Sequence, residues 1–339
     1  MYFPEFSITT NILNNIGKIE ASKALIEHLP LFPAWENSLQ LEAKIKNAFH
    51  ANHFEGNSLN FDHVKGFFNG RDVTQVNKRG LKEIENYQKA LNLIPLDLSI
   101  DEQTLKSFHK ILLRDIAPEN KTGIYRTTVF LGSSNLEVPK PDEILAQLRS
   151  FFTWFGGSDA LELPAPLRSA ILYFEILRIS PFETENKKIA GLITNLNLRQ
   201  SGYDNKNLLA FEGHFDESQT AFNSIIRSTQ NQEGDITRWL EYFLSGLANE
   251  FMRMKEKILN LSKDNKVREV AGMTPLNERQ ERIIEYLSDY GNLKNKDFIK
   301  LFPEVSEDTI LRDLKDLIAK NLIIKTGSTK SSRYSPVRT

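Results

Sequence analysis

The chain has 339 residues, 40% of them hydrophobic and 26% charged, with 43 Lys and Arg against 44 Asp and Glu. That balance gives no global field for nucleic acid or an anionic membrane, so any such contact must come from a local patch. The absence of cysteine excludes disulfides, thiolate catalysis and Cys-ligated zinc.

The length predicts about two domains. Met1 to Asn15 has neither a basic n-region nor an apolar h-region, so no secretion signal is expected. No apolar run approaches the roughly 18 residues needed to span a bilayer. The expected location is cytoplasmic, without a membrane partner. The first ~260 residues read as mostly helical, with apolar side chains at helical spacing. Examples are Leu105, Phe108, Ile111 and Leu112, then Ile144, Leu145, Leu148, Phe151 and Phe152. The histidines, His28, His50, His53, His63, His109 and His214, suggest no metal triad. His50, His53 and Glu55 lie close in sequence, where packing or solvent-facing roles suit them better. His109, on an apolar helix, is expected to be a hydrogen-bonded packing residue.

Strand-like patterns are scarce before residue 260. Over Ile124 to Val138 an aromatic and β-branched run meets a Gly-Ser-Ser-Asn turn, which predicts a β-hairpin. Pro139 and Pro141 end it and set up a helix near Asp142. Two apolar helical runs follow, Leu167 to Ile179 and Ile189 to Leu198. Between them lies Ser-Pro-Phe-Glu-Thr-Glu-Asn-Lys-Lys, residues 180 to 188. A helix, a tight loop with Asn and a second helix form a phosphate-cradling geometry, because N–H groups and the dipole at a helix start favour an anion. Lys187 and Lys188 would attract phosphate as point charges.

The stretch from Ser180 to Gly191 resembles the signature of Fic-domain proteins, His-Pro-Phe-x-acidic-Gly-Asn-Gly-Arg-x-x-Arg. Pro181, Phe182 and Asn186 match it. Ser180 holds the His position and Thr184 the acidic one. Glu185 and Lys187 hold the Gly positions, and Lys188 and Gly191 hold the Arg positions. Phe54-Glu55-Gly56-Asn57 is similar to the family's inhibitory motif. Lys121 to Arg126 and the hairpin after it look like its substrate flap, and Gly234 to Leu240 resembles a late helix. The resemblance covers roughly Ala34 to Ala248.

The resemblance implies transfer of AMP from Mg·ATP to a protein hydroxyl, with His as general base, the acid on Mg²⁺, and the Asn and Arg residues on the phosphates. Here Ser180 is a poor proton acceptor near pH 7, where imidazole titrates; losing a general base costs about 10²–10⁴ in rate. Thr184 offers a neutral oxygen where Mg²⁺ prefers carboxylate, which Glu183 or Glu185 would have to supply from a neighbouring position. Asn186, Lys187 and Lys188 are the candidate nucleotide-binding residues. In relatives with the inhibitory motif the Glu pairs with the last Arg of the signature. That position is Gly191, leaving Lys188 as a substitute partner for Glu55; the other reading of Glu55 is a helix-end carboxylate with local hydrogen bonds. Tyr125 and Arg126 would close the flap, whose edge could accept an extended peptide by β-augmentation.

From Leu261 to Pro275 the composition turns polar, as a linker or the frayed end of a long helix would. Helices are predicted over Asn277 to Asp289, Lys294 to Leu301, and from Ser306 to about Asn321. Leu322 to Lys325 and Arg333 to Val337 then flank a polar turn. This is a winged helix-turn-helix arrangement. The third helix holds four acids against three bases, a weak electrostatic footprint, whereas the stretch from Leu322 to Thr339 holds bases and no acids. Thr309, Arg312, Lys315, Lys330 and Arg333 are the candidate DNA contacts. A homodimer would strengthen weak binding through effective concentration.

The fold class expected is therefore mainly α, a Fic-like helical domain with a β-hairpin flap followed by a winged helix-turn-helix. The expected division is an N-terminal helical region over 1–100 with the inhibitory-type motif, a Fic-like core over 101–261, a linker over 262–275 and the winged helix over 276–339. The leading functional expectation is a regulator that binds nucleotide or a partner, without efficient AMP transfer, and binds DNA through its C-terminal module. The alternatives are an active Mg·ATP-dependent nucleotidyl transferase and a protein-interaction scaffold working through the flap.

Overall fold

A computed structural model describes residues 2–29, 31, 33–71, 73, 77–92, 97–129, 137–230, 234–270, 276–320, 322–327 and 332–336. It is mainly helical and divides into two compact units, Met1–Leu29 with Leu39–Lys257, and Pro30–Ser38 with Ile258–Thr339.

The helices before the loop are α1 (Thr10–His28), α2 (Pro33–His53), α3 (Phe61–Phe68), α4 (Lys78–Asn92), α5 (Glu102–Leu112), α6 (Ile144–Phe155), α7 (Ser158–Leu161) and α8 (Ala165–Ile179). Side chains that satisfy orphan N–H groups start several of them. Thr9 caps α1 by accepting from Ile12 N, Asn60 caps α3 from His63 N, and Asp101 caps α5 from Thr104 N. In α1 and α5 the buried residues fall on one stripe, Ile12, Ile19 and Ile26, then Leu105, Phe108 and Leu112.

Helices α8 and α9 (Asn186–Gln200) are different. Leu167, Ala170, Ile171, Leu172, Ile176 and Leu177 of α8 are buried, as are Ile189, Leu192, Ile193, Leu196 and Leu198 of α9. A helix apolar all round belongs inside, and this pair is the centre of the first unit. After α9 come α10 (Gly213–Glu217), α11 (Gln219–Gln230) and α12 (Thr237–Val270). Trp239 of α12 donates its indole N–H to Ala170 O of α8 at 2.7 Å, and its ring stacks on Tyr173 with centroids 5.6 Å apart. The stretch expected as a linker is helical as far as Val270, and 271–275 lie outside the described residues. So does 130–136, where the turn of the expected hairpin falls; the flank 124–129 holds no strand.

The C-terminal unit contains α13 (Glu278–Tyr290), β1 (Leu293–Lys294), α14 (Phe298–Leu301), α15 (Glu307–Ala319), β2 (Ile323–Thr326) and β3 (Arg333–Pro336). Asn277 caps α13 in a capping box with Gln280. The antiparallel sheet has the order β1-β3-β2, with Leu293 opposite Tyr334 and Thr326 opposite Arg333. Ile283, Leu287, Phe298, Ile310, Leu314, Leu317, Ile323 and Tyr334 form its core. Helices α14 and α15 and the β2–β3 wing form a winged helix.

Candidate functional site

The loop between α8 and α9 is folded by its own side chains. Ser180 ends α8 in the left-handed region at φ 42, fully buried. Its hydroxyl donates to Leu177 O at 2.6 Å, so it faces the helix it terminates. Asn186 is also internal to the loop: its amide donates to Phe182 O at 2.8 Å and accepts from Phe182 N at 3.1 Å. Phe182 stacks on His109, with centroids 4.1 Å apart. His109 Nδ1 accepts from Gly123 N at 2.8 Å, the packing role expected of it, and burial pushes its imidazole down to about 4. Glu185 precedes α9 at φ 69, a conformation that costs a residue with a Cβ roughly 1–2 kcal/mol.

An anion does sit at the start of α9, and it comes from the protein. Glu55 Oε1 accepts from the backbone N–H of Lys187 at 2.8 Å. The amide is one of the orphan donors of the helix start, where the dipole favours a negative charge. Lys187 Nζ turns away to Phe54 O at 3.0 Å and lies 3.9 Å from the centroid of the Phe54 ring, its ammonium pushed down by burial. Lys188 does not pair with Glu55. Its buried ammonium lies 2.9 Å from Asn52 Oδ1 and 2.6 Å from Glu185 Oε2. Burial pushes the Glu185 carboxyl up, against the pull of Lys188.

Glu183 and Thr184 are exposed. They line a cleft of about 420 Å³ with Glu55, Asn57, Arg79, Glu83, Glu185 and Lys188. Its acids are Glu55, Glu83, Glu183 and Glu185; its bases are Arg79, bound to Glu83 at 3.2 Å, and the paired Lys188. The cleft is therefore acidic on balance. Arg126 is a buried strut rather than an exposed flap residue: it donates to Ser180 O at 2.9 Å and Thr128 O at 3.0 Å. Tyr125 is half-buried, with Lys106 Nζ 4.4 Å from its ring centroid.

Three further contacts escaped the sequence reading. A Cβ at Gly191 would run into Glu212 Oε1. Glu212 is buried, accepts from Tyr87 OH at 3.2 Å, and is pushed up to about 8 by burial. Asn52, from α2, holds Lys188. His50 and His53 both grip Asp216, at 2.9 and 2.7 Å. Burial raises the Asp216 carboxyl, but hydrogen bonds from His50, His53 and Gln219 bring it below its ordinary range. The local sequence signal for Glu212 is its place directly after the apolar run Leu208 to Phe211.

In the C-terminal unit Arg312 and Lys315 are exposed on α15, and Lys325 and Arg333 on the wing. Thr309 shares a hydroxyl hydrogen bond with Ser306 at 2.8 Å. Two of the acids of α15 are tied down: Asp313 by Arg279 at 2.7 Å, and Asp316 by Gln280 at 2.6 Å and Lys320 at 2.5 Å. Lys330 lies outside the described residues.

Residues 99–198 match the Fic/DOC family, and residues 279–328 match the DeoR-like helix-turn-helix domain. The chain carries a Fic/DOC domain followed by a DeoR-like helix-turn-helix. The Fic domain is similar to protein adenylyltransferase Fic of Nematostella vectensis, 26% identical over 186 residues, covering 51% of this chain and 43% of that protein. It is also similar to protein adenylyltransferase fic-1 of Caenorhabditis elegans, 23% identical, covering 46% of this chain and 32% of that one. The chain thus spans less than half the length of these relatives. A Fic family protein from Desulfovibrio desulfuricans shares the fold with a TM-score of 0.70 at 19% identity, covering 100% of this chain and 99% of its own. Fic-1 of C. elegans, residues 134–508, shares it over 75% of this chain and 73% of its own, with a TM-score of 0.60 at 18% identity. The helix-turn-helix domain coincides with the winged helix of the second unit. No helix among the described residues is long and apolar enough to cross a membrane. The Fic loop does not offer Mg·ATP the donor set its motif implies: residue 184 is not a carboxylate, Ser180 turns inward, and Glu55 holds the amide at the start of α9.

Proposed function

We propose that the protein is a regulator whose Fic domain does not transfer AMP efficiently and instead binds a partner, while its helix-turn-helix domain binds DNA. The observation that carries this reading is the Glu55 carboxylate seated on Lys187 N–H, at the helix start where the family motif would hold phosphate. A neutral Ser180 hydroxyl that donates to Leu177 O is no general base. The acid excess in the cleft disfavours a polyphosphate and favours a partner that presents a basic group.

The helix-turn-helix reading rests on Arg312 and Lys315 on the exposed face of α15, with Lys325 and Arg333 on the wing. A helix laid in the major groove can read guanine edges with such side chains while the wing touches phosphate.

The test is label transfer from α-labelled ATP with Mg²⁺ to proteins of a cell extract, using the full chain and its Glu55→Gly variant. Neither should label a protein, because removing the carboxylate restores no base. Labelling by Glu55→Gly that disappears on Asn186→Ala would overturn the proposal in favour of an active nucleotidyl transferase.

A further inference from the structure

A second polar pocket of the first unit lies about two turns along α9 from Lys187, or about 12 Å at the helical rise. It has a volume of about 210 Å³, and Lys44 and Asn47 of α2, Asn195 and Arg199 of α9, and Asp204 and Asn207 of the following loop help to line it. We propose that this pocket is a ligand site for a small metabolite carrying a carboxylate or phosphate group. The inference goes beyond the proposed function and does not depend on it.

Two observations point to a ligand. Asn47 and Asn195 are 5% and 2% exposed. Asn47 uses its amide N–H on Leu209 O at 2.8 Å, yet its Oδ1, and Nδ2 of Asn195, have no hydrogen-bond partner among the described residues. Leaving such a group unmet costs about 1–3 kcal/mol, and native structures keep few of them. Two residues that line one pocket therefore each carry a buried polar atom without a partner.

The charges set the chemistry. Lys44 and Arg199 form no ion pair among the described residues. Asp204 is the acid on the wall, and its Oδ1 already accepts from Leu208 N at 2.7 Å and Leu209 N at 3.3 Å. Burial also pushes that carboxyl up to about 7, so its charge is partly quenched near neutral pH. The balance is positive. The C-terminal end of α9 works against an anion through its dipole, and Arg199, in that last turn, offsets it. The small volume favours one oxyanion with a few polar groups over a nucleotide or a peptide. Asn195 would then donate to the ligand, and Asn47 Oδ1 would accept from a hydroxyl or amide on it.

The test is calorimetric titration of the full chain with inorganic phosphate and with citrate, beside Lys44→Ala/Arg199→Ala and Asn207→Asp. The first variant removes the cations. The second adds an acid at a half-buried position whose φ of 55 an Asp tolerates, and circular dichroism checks that both fold. Saturable binding of either anion is expected, weakened tenfold or more in both variants. Phosphate binding alone would indicate a phosphate ester, and citrate binding alone a carboxylate. The absence of saturable binding by both anions, or binding that survives in both folded variants, would overturn the proposal.

Discussion

Lys188 is the residue on which the altered loop depends. Its ammonium is buried between Asn52 and Glu185, and Glu185 itself is held in the left-handed region. Removing one member of a buried pair leaves an uncompensated charge, at a cost of about 3–5 kcal/mol. Lys188→Met should therefore destabilise the chain by about 3 kcal/mol in urea unfolding at pH 7. The loss should shrink at pH 5, because the Glu185 carboxyl is already pushed up and takes a proton when its partner is gone. Glu212 makes a second pH-dependent contribution. Its carboxyl lies at about 8 in the folded chain against an ordinary 4.5. A carboxyl raised in this way stabilises the fold while protonated, fully so below its ordinary value, and that stability is lost as pH rises through 8. One such group contributes a slope of up to about 1.4 kcal/mol per pH unit in that window. Asp204, pushed up to about 7, acts in the same direction. Glu212→Gln keeps an acceptor for Tyr87 and removes the titration. Stability of this variant between pH 5 and 8 should fall less steeply than wild type by about one proton's worth, leaving the Asp204 share; an unchanged slope would mean that Glu212 is charged in the folded chain.

Helix α9 shows how a departure from a motif can be structural at one position and electrostatic at the next. Gly191 stands where the family signature has Arg, and the room its missing side chain leaves is taken by Glu212, which immediately precedes α10. Gly191→Ala gains about 1 kcal/mol in helix propensity, but overpacking a buried position costs about 1–3 kcal/mol. The expected net is a loss of about 1 kcal/mol. In a double-mutant cycle with Glu212→Ala the two losses should fail to add, by at least about 0.5 kcal/mol; additive losses would show that the two positions do not share space. This coupling also marks what was legible in the sequence. The mainly helical architecture and the winged helix could be read from apolar spacing and from short runs around a polar turn, because Leu105, Phe108 and Leu112, or Leu322 to Lys325 with Arg333 to Val337, are local patterns. The loop motif could be read as an anion cradle for the same reason. Its occupant could not: Glu55 meets Lys187, Asn52 meets Lys188 and Glu212 meets Gly191 across more than a hundred residues in the first two cases, and periodicity carries no information about such pairs.

For the whole molecule, a net charge of -1 means that attraction to DNA cannot come from the chain at large. Counting charges from Ser306 to Asn321 gives four acids against three bases, but Asp313 and Asp316 are tied to Arg279, Gln280 and Lys320. What remains exposed is Glu307 and Asp308 in the first turn, and Arg312 and Lys315 beyond it. With Lys325 and Arg333 on the wing, one chain would neutralise about three or four phosphates. The slope of log K against log salt should then be roughly -3. Binding would be weak for one copy and steeper for a dimer. Arg312→Ala/Lys315→Ala should reduce the slope by about one unit for each side chain that meets a phosphate. It should instead relax sequence preference, at about 1–3 kcal/mol per contact, for each that reads a base edge. Filter retention of labelled duplex by the full chain across a salt series distinguishes these roles. A slope and a preference both unchanged in the variant would place the DNA contact elsewhere in the chain, because no uniform field is available to mask the loss of those two cations.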